Sequence, residues 1–328
     1  MNTTATIASK EFSENLRSSR FMILFGLFLL MLLLSAYQGA QDYQKELTQY
    51  NEMMKGSSGD GYEVTMEIPK PSILSAFQRL ISSGGITTIG AIIGIVIGFD
   101  AVSGEREKGT LKFLLTQPLY RDTLINGKLL GFTILIFTVV LISSITSIGI
   151  IEGVTGIFPD GDDALRILAF SLMVFLYLMI FAVIGMFFSV FLKQSVDSLL
   201  ASIAVFIIVT LLIGPFAGAA ADFLAPIPAY TFGMQGEEME KAWNENFGIQ
   251  QKIMYLSPSE NFKNVNDVIL NPYFEKTDSS NYGGFGKQIK HAVTESIGMV
   301  WGNVVAILVG LVVFFISSYV MFLRQDVG

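Results

Sequence analysis

The sequence contains no cysteine and a single histidine, His291. Disulfide bonds, thiolate metal sites and cysteine nucleophiles are therefore excluded, and so is a metal centre built from several histidines. Charged residues are also scarce, at 15% of the 328 residues, whereas soluble proteins carry about 25% because their surface faces water. Hydrophobic residues make up 52%. This composition is typical of an integral membrane protein whose surface contacts lipid.

Long apolar runs follow one another along the whole chain. A helix needs about 20 apolar residues to cross about 30 Å of hydrocarbon. Six segments are close to that length or longer: 21–37, 81–102, 129–151, 167–192, 199–224 and 297–323. We therefore predict an all-α polytopic fold in a single transmembrane domain, 1–328. The first run could also be a signal peptide, but the spans that follow favour a retained helix.

Basic residues in the short connections indicate the orientation of the chain. Cytoplasmic loops carry an excess of Lys and Arg near the helix ends. The basic residues on the predicted cytoplasmic side are Lys10, Arg17, Arg20, Arg106, Lys108, Lys112, Arg121, Lys128, Lys193 and Arg324. We predict a cell-membrane protein with both termini and the 104–128 loop in the cytoplasm. The outer segments, about 38–79 and 225–296, show no alternation that indicates strands.

Residues 4–20 precede the first apolar run and form an amphipathic pattern. Ile7, Ala8, Phe12 and Leu16 fall on one helical face, while Lys10, Glu14 and Arg17 lie on other faces. The pattern predicts a short helix that lies at the inner membrane interface. An ordinary charged flank is the alternative.

The sequence has no G-x-x-x-x-G-K-[ST] phosphate-binding run and no nucleophile elbow. The predicted spans carry no charged residue near the bilayer centre, where an ion-coupled carrier places its relay. Asp100 and Asp222 lie near the ends of their spans. We therefore predict that the chain itself is not an enzyme and holds no cofactor. We expect the energy for its activity to come from outside this polypeptide.

The most informative stretch is FDAVSGEREKGTLKFLLTQPLYRDTLINGK, residues 99–128. Gly104 is predicted to break the second span. A charged run, 105–108, precedes a short amphipathic helix, 110–115, which Pro118 ends. The face of this helix consists of Leu111, Leu114 and Leu115, and Glu105 and Glu107 lie near its positive end. Such a helix can lie on lipid or bind in a hydrophobic groove of a partner.

This stretch resembles the coupling-helix signature of ABC transporter permeases of the type-2 exporter family. In that signature an acidic-basic-acidic run, Gly-Thr-Leu, two leucines, a proline and an arginine precede Gly-Lys. The matching positions are Glu105, Arg106, Glu107, Gly109, Thr110, Leu111, Leu114, Leu115, Pro118, Arg121, Gly127 and Lys128. Weaker similarities at 10–20 and 256–259 agree with it.

The resemblance implies a permease that forms its translocation path as a dimer, with the same or a different permease chain. Each copy is coupled through its cytoplasmic loop to a separate ABC ATP-binding subunit, in which ATP and Mg are expected. The bilayer is the other partner, and no nucleic acid is expected. An alternative is a membrane scaffold or sensor that binds an ATPase without transporting a solute. The substrate and the direction of transport are left open.

Two sets of small residues and proline in the spans are candidates for helix packing or a gate. Glycines four residues apart on one helical face let a neighbouring backbone approach closely. A proline removes a helical donor and bends the helix. The two sets are Gly90, Gly94 and Gly98 in the second span, and Gly214, Pro215 and Gly218 in the fifth. Packing within one subunit and a role in the pore or gate are both open at this point.

Overall fold

The computed structural model describes residues 3–57, 70–111, 120–228, 236–274 and 290–324. Within these ranges the regular secondary structure is helical, which confirms the predicted all-α class. The helices are α1 Thr3–Arg17, α2 Ser19–Ser57, α3 Leu74–Ser82, α4 Ala91–Gly98, α5 Ser103–Glu107, α6 Arg121–Thr155, α7 Gly161–Phe191, α8 Ser195–Ile207, α9 Ile213–Leu224, α10 Gly236–Met254, α11 Pro258–Ile269 and α12 Val293–Arg324. Two π-helical segments, Gly85–Gly90 and Ile208–Leu212, run directly into α4 and α9.

Six helical segments are long and apolar enough to cross a membrane, as the sequence predicted. In chain order, we number as spans 1 to 6 the segments Ser19–Lys55, Gly85–Glu107, Arg121–Thr155, Gly161–Phe191, Ser195–Leu224 and Val293–Arg324. The predicted bounds were short for span 1, because α2 continues to Ser57. Much of the predicted 38–79 outer segment is therefore a continuation of that helix.

Spans 2 and 4 form the centre of the bundle and are mostly buried, whereas few residues of spans 5 and 6 are buried. Span 4 packs against span 2, span 6 and α11. The exposed apolar faces of the outer spans fit a lipid environment, since hydrocarbon is as apolar as the side chains themselves.

Glycines make the close crossing of α4 and α7 possible. A Cβ on Gly94 would lie 2.5 Å from the carbonyl oxygen of Leu178, and one on Gly98 would overlap the carbonyl oxygen of Ala182. Gly185 on α7 faces the α4 backbone in the same way. A Cβ on Gly90 would approach side-chain atoms of Leu178 and Phe28 rather than backbone. In this chain, the glycines of span 2 therefore pack two helices of one subunit together.

The glycines of span 5 have a different environment. Among the described residues, no heavy atom lies within 4 Å of a Cβ placed on Gly214 or Gly218, so both face away from this part of the chain. Pro215 is exposed in the first turn of α9. The π-helical segment Ile208–Leu212 ends just before it. Since proline cannot donate its helical hydrogen bond, a local departure from α-helical geometry is expected there.

A buried arginine fixes the connections at the opposite end of span 4. The Arg166 side chain is fully buried and lies 3.2 Å from Asp162. Its guanidinium also donates to the carbonyl oxygen of Ile269, 2.7 Å away, to that of His291 and to the Ser296 hydroxyl. These contacts join α7 to the end of α11 and to the beginning of α12. A structural role explains this arginine, because a buried guanidinium needs all of its donors satisfied.

Candidate functional site

The resemblance directs attention to the end of the bundle where span 2 ends and spans 3 and 5 begin. Because α1 and the end of α12 lie at this end, we call it the terminal side. There, the Lys128 Nζ atom lies 2.5 Å from Glu11 Oε1 and 3.0 Å from Glu105 Oε1. The Lys128 side chain is only 2% exposed. These three residues, which we call the Lys128 network, join α1, α5 and α6.

Two glycines near Lys128 explain how α1 can pack so closely against α6. A Cβ on Gly127 would lie 2.7 Å from Ile7 Cγ2, and one on Gly131 would lie 2.7 Å from Glu11 Cβ. These glycines are four residues apart, on one face of α6, so they form a shallow groove for α1. The groove brings the Glu11 carboxylate to the Lys128 ammonium group.

The Lys128 network holds two carboxylates and one ammonium group. Burial raises the pKa of Glu11, and the attraction of Lys128 opposes this shift without cancelling it. The outer carboxylate, Glu105, also has Lys10 at 3.7 Å. Among the described residues, its Oε2 atom is buried without a hydrogen-bond partner. Burial therefore makes the ionised form of Glu11 more costly, and the ion pair with Lys128 offsets part of that cost.

Arg106 ties α5 to the end of span 4. Its Nη1 atom donates to the carbonyl oxygen of Leu192, 2.9 Å away, which follows the last residue of α7. The last carbonyl groups of a helix have no intrahelical donor, so a guanidinium is a suitable partner.

Glu107 binds the beginning of span 5. Its carboxylate accepts hydrogen bonds from the backbone N–H of Ser195, at 2.8 Å, and from the Ser195 hydroxyl, at 3.0 Å. Ser195 is the first residue of α8, so the carboxylate satisfies an unpaired donor and complements the positive helix end. The predicted placement of Glu107 at the positive end of the 110–115 helix stays a prediction, because most of that helix lies outside the described residues. Ser195 is 88 residues from Glu107 in the sequence, so only the folded chain brings the two residues together.

The break in span 2 lies at residues 99–102 rather than at the predicted Gly104, which is inside α5. The Ser189 hydroxyl on α7 explains its position. It accepts hydrogen bonds from the backbone N–H groups of Val102, at 2.9 Å, and Ser103, at 3.0 Å. Because Ser189 is fully buried, water cannot accept hydrogen bonds from these two N–H groups, and the Ser189 hydroxyl accepts them instead.

The segment after α5 is only partly described. Gly109 has φ of 71°, a left-handed conformation that favours glycine, and Thr110 Oγ1 donates to the Glu105 carbonyl oxygen at 3.2 Å. Leu111 is 3% exposed, so its assignment to a partner-contact face was wrong: it belongs to the core of this chain. Arg121 Nη1 donates to the Leu323 carbonyl oxygen, 3.3 Å away, at the end of span 6. The remaining predicted positions, Leu114, Leu115 and Pro118, lie outside the described residues.

Sequence reasoning missed Glu11, Ser189 and Ser195. Glu11 did leave a trace, because it lies on the same face of α1 as Ile7 and Ala8, which was predicted to be apolar. A carboxylate on an apolar face suggests a buried partner. Nothing in the sequence indicates the roles of Ser189 and Ser195, since serines are common in this chain and their positions follow no pattern.

A second polar cluster lies within the bundle. The Tyr177 hydroxyl donates to the carbonyl oxygen of Thr87, 2.6 Å away, and lies 3.0 Å from Ser259 Oγ. Ser259 Oγ is in turn 2.9 Å from Thr210 Oγ1. Thr87 and Thr210 belong to the two π-helical segments, which are a frequent feature of functional sites. The cluster therefore joins both irregular segments through span 4 and α11.

The described residues include no group of three or more His, Cys, Asp or Glu that could hold a metal ion. The described contacts at the terminal side are charge pairing and helix capping.

The fold and this site define a multi-pass helical membrane protein in which one short charged segment contacts several spans. The family of ABC-2 family transporter proteins matches residues 5–327. The chain belongs to this family.

Two proteins described as "Probable ABC transporter permease protein NosY" are similar to parts of the chain. The one from Stutzerimonas stutzeri is 30% identical over 142 residues, which cover 43% of each chain. The one from Pseudomonas aeruginosa is 43% identical over 51 residues, 16% of this chain and 18% of the relative. The chain thus matches less than half the length of these curated relatives.

Proposed function

We propose that this chain is the membrane permease subunit of an ATP-driven ABC exporter. In this proposal, a separate ABC subunit binds ATP and Mg and contacts the permease through the 105–121 region. Membership of the ABC-2 family, the six spans and the similarity to the NosY proteins support the proposal. A cell-membrane location with both termini in the cytoplasm belongs to it and rests on the Lys and Arg distribution.

One observation carries the coupling role. Three consecutive residues of α5 contact three different spans: Glu105 contacts Lys128 at the beginning of span 3, Arg106 the end of span 4, and Glu107 the beginning of span 5. A force applied to α5 therefore reaches three spans through charge-assisted hydrogen bonds, which are stronger than neutral ones. A coupling element needs this property.

A second permease copy completes the proposal. Gly214 and Gly218 leave open space on the exposed face of span 5, and small residues four apart let a second helix approach closely. We place span 5 at the contact between two permease copies, which are identical or related chains. Contacts of this kind are driven by van der Waals packing, because lipid offers no hydrophobic driving force between helices.

Co-purification with the ATP-binding subunit tests the coupling role. L114D/L115D puts two charges on the predicted contact face and should abolish co-purification, because charged groups are costly in an apolar groove. K193D is the matched control, since it changes the net charge by the same amount at an exposed position on the terminal side. An L114D/L115D variant that keeps its partner and transports normally contradicts the proposal.

Transport measurements distinguish the exporter from the scaffold or sensor alternative. Proteoliposomes that hold the permease and its ATP-binding subunit should accumulate a candidate solute only when ATP is hydrolysed. A scaffold would retain the partner and its ATPase activity without moving any of the compounds that stimulate hydrolysis.

A further inference from the structure

A polar cleft of about 560 Å³ opens on the terminal side, where α1 meets the beginning of span 1 and the end of span 2. The Lys128 network forms one wall of this cleft. The other charged side chains that matter here are Arg17 at the end of α1, Arg20 in the first turn of α2, Lys108 after α5, and Asp100.

The charges in the cleft are unequally paired. The two carboxylates of the Lys128 network already have their ammonium partner, and Glu14 lies 3.7 Å from Lys10. Among the residues that the structure describes, no ion pair within 4.0 Å involves Arg17, Arg20 or Lys108. All three are exposed. The lining as a whole carries four carboxylates and four cations, but Arg17, Arg20 and Lys108 lie with a single remaining carboxylate, Asp100. This part of the cleft therefore favours an anionic ligand.

Arg20 is held in position over the cleft. Its guanidinium carbon lies 5.7 Å from the centroid of the Phe99 ring, a cation–π contact that orients the side chain. Guanidinium groups bind phosphate through two parallel hydrogen bonds, and a lysine adds a mobile charge. Arg20 and Lys108 together supply both types of contact.

The position of the cleft at the beginning of span 1 indicates the class of ligand. Arg20 stands in the first turn of span 1, and the next exposed side chains along the helix are the apolar Met22 and Ile23. Basic groups at the end of a span lie at the level of the lipid headgroups, with apolar side chains beside the acyl chains. A ligand with a phosphate and an attached acyl chain matches both parts of this surface.

We propose that the cleft is a phosphate-binding site formed by Arg17, Arg20 and Lys108. The phosphate belongs to a phospholipid headgroup or to a soluble phosphate compound. Asp100 accepts a hydrogen bond from a hydroxyl or ammonium group of the same ligand. Lys108 lies within the 105–121 region of the proposed coupling role, but the site is formed by one chain and its ligand binding needs neither ATP nor a partner subunit.

Native mass spectrometry of the purified full-length chain in detergent tests this site, with dioleoylphosphatidylglycerol as the probe. R20Q/K108Q should lower the apparent affinity for this lipid about tenfold or more, since two charge-assisted contacts to phosphate are lost. K193Q/R324Q removes the same charge from exposed positions on the terminal side outside the cleft, and its affinity should stay close to that of the wild-type chain.

Two further probes identify the ligand source. Dioleoylglycerol, which lacks the phosphate, should bind far more weakly than the phospholipid. Displacement of the bound lipid by millimolar inorganic phosphate supports the site and points to a soluble ligand. Retention of the lipid under the same conditions supports the site and points to a headgroup.

The proposal is overturned if R20Q/K108Q binds the phospholipid as tightly as the wild-type chain. It is also overturned if both double variants lose affinity equally, or if dioleoylglycerol binds equally well. Should R20Q/K108Q fail to fold, K108Q alone decides, because Lys108 is exposed in the turn after α5. Unchanged affinity in a folded K108Q then counts against the site.

Discussion

Lys128 Nζ lies 2.5 Å from Glu11 Oε1, although the two residues are 117 positions apart in the sequence. This contact attaches the helix before span 1 to the beginning of span 3. Through its second carboxylate, Glu105, the same ammonium group also holds α5. One buried cation thereby fixes the relative position of three elements on the terminal side.

Replacing Lys128 should destabilise the fold strongly. K128M leaves the carboxylates of Glu11 and Glu105 buried without their cation, and removing one partner of a buried ion pair typically costs about 3–5 kcal/mol. The free energy of unfolding in detergent, followed by heat or denaturant, should fall accordingly. K193M removes an exposed lysine and should change little. A K128M variant as stable as K193M would show that the network contributes nothing to the fold.

Glu11 should respond to pH in the opposite sense from most carboxylates. Its pKa is raised by burial, so the ionised form is less stable in the folded chain than in the unfolded one. The stabilising contribution of the protonated form is present below the unfolded value of 4.5 and is lost as the pH rises through the raised folded value. E11Q mimics the protonated form. Between pH 4 and 8, the melting temperature of the wild-type chain should therefore decline relative to that of E11Q.

The opposite trend would contradict a raised pKa of Glu11 in the folded chain. If E11Q becomes less stable than the wild-type chain as the pH rises, Glu11 is ionised in the folded chain and its pair with Lys128 is net stabilising. E14Q, at an exposed position on the same helix, supplies the control for general effects of charge removal on α1.

Ser189→Ala should weaken the break between α4 and α5. It leaves the buried N–H groups of Val102 and Ser103 without their acceptor, and each unsatisfied group costs about 1–3 kcal/mol. Ser202→Ala is the matched control, because Ser202 is equally buried and its hydroxyl only donates to a carbonyl within its own helix. Thermal unfolding of both variants in detergent measures the difference. Equal stability of the two variants argues that Ser189 does not determine where the break lies.

The two sets of glycines should respond differently to alanine. Gly98→Ala forces a Cβ into the carbonyl oxygen of Ala182, and backbone cannot move aside as a side-chain end can. We expect this variant to be poorly folded, on size-exclusion chromatography and in thermal unfolding. Gly214→Ala meets open space within the chain, so it should fold normally but weaken the association of two permease copies. A normally folded Gly98→Ala, or an unaffected dimer in Gly214→Ala, contradicts the respective role.

Glu107→Ala should reduce coupling while assembly remains largely intact. The variant removes the cap of α8 at Ser195, and the loss of a helix cap costs about 1 kcal/mol. The ATP-binding subunit should still co-purify, whereas stimulation of its ATPase activity by substrate should fall. Glu107→Gln keeps one acceptor oxygen and should retain more of the stimulation. Full stimulation in Glu107→Ala places the coupling contact elsewhere.

The orientation of the chain can be measured by cysteine labelling, because the sequence has no cysteine of its own. Single cysteines at Ser57 and Ser280 should react with an impermeant thiol reagent added from outside the cell. A cysteine at Thr116 should react only after the membrane is opened. The reverse pattern of labelling would overturn the predicted topology.

Much of the fold could be predicted because apolar run length is a local property of the sequence. All six predicted spans have a counterpart in the structure, with bounds that differ most for span 1. That difference has a physical reason: α2 continues beyond its apolar part through a polar stretch that ends at Ser57, and hydropathy does not reveal a helix that extends into water. The burial of α11 could not be predicted from the sequence either, since it depends on contacts with spans 4 and 6.

The sequence by itself determined the membrane class, the number of spans and the charged segment 105–108, because composition and spacing are readable without a fold. Only the tertiary structure decided which groups those charges meet. Glu107 caps a helix that begins 88 residues later, and Val102 donates to a hydroxyl 87 residues away. Leu111 lies on the predicted apolar face of its helix and yet is buried in its own chain. A linear pattern defines a face, but packing between distant helices decides what covers it.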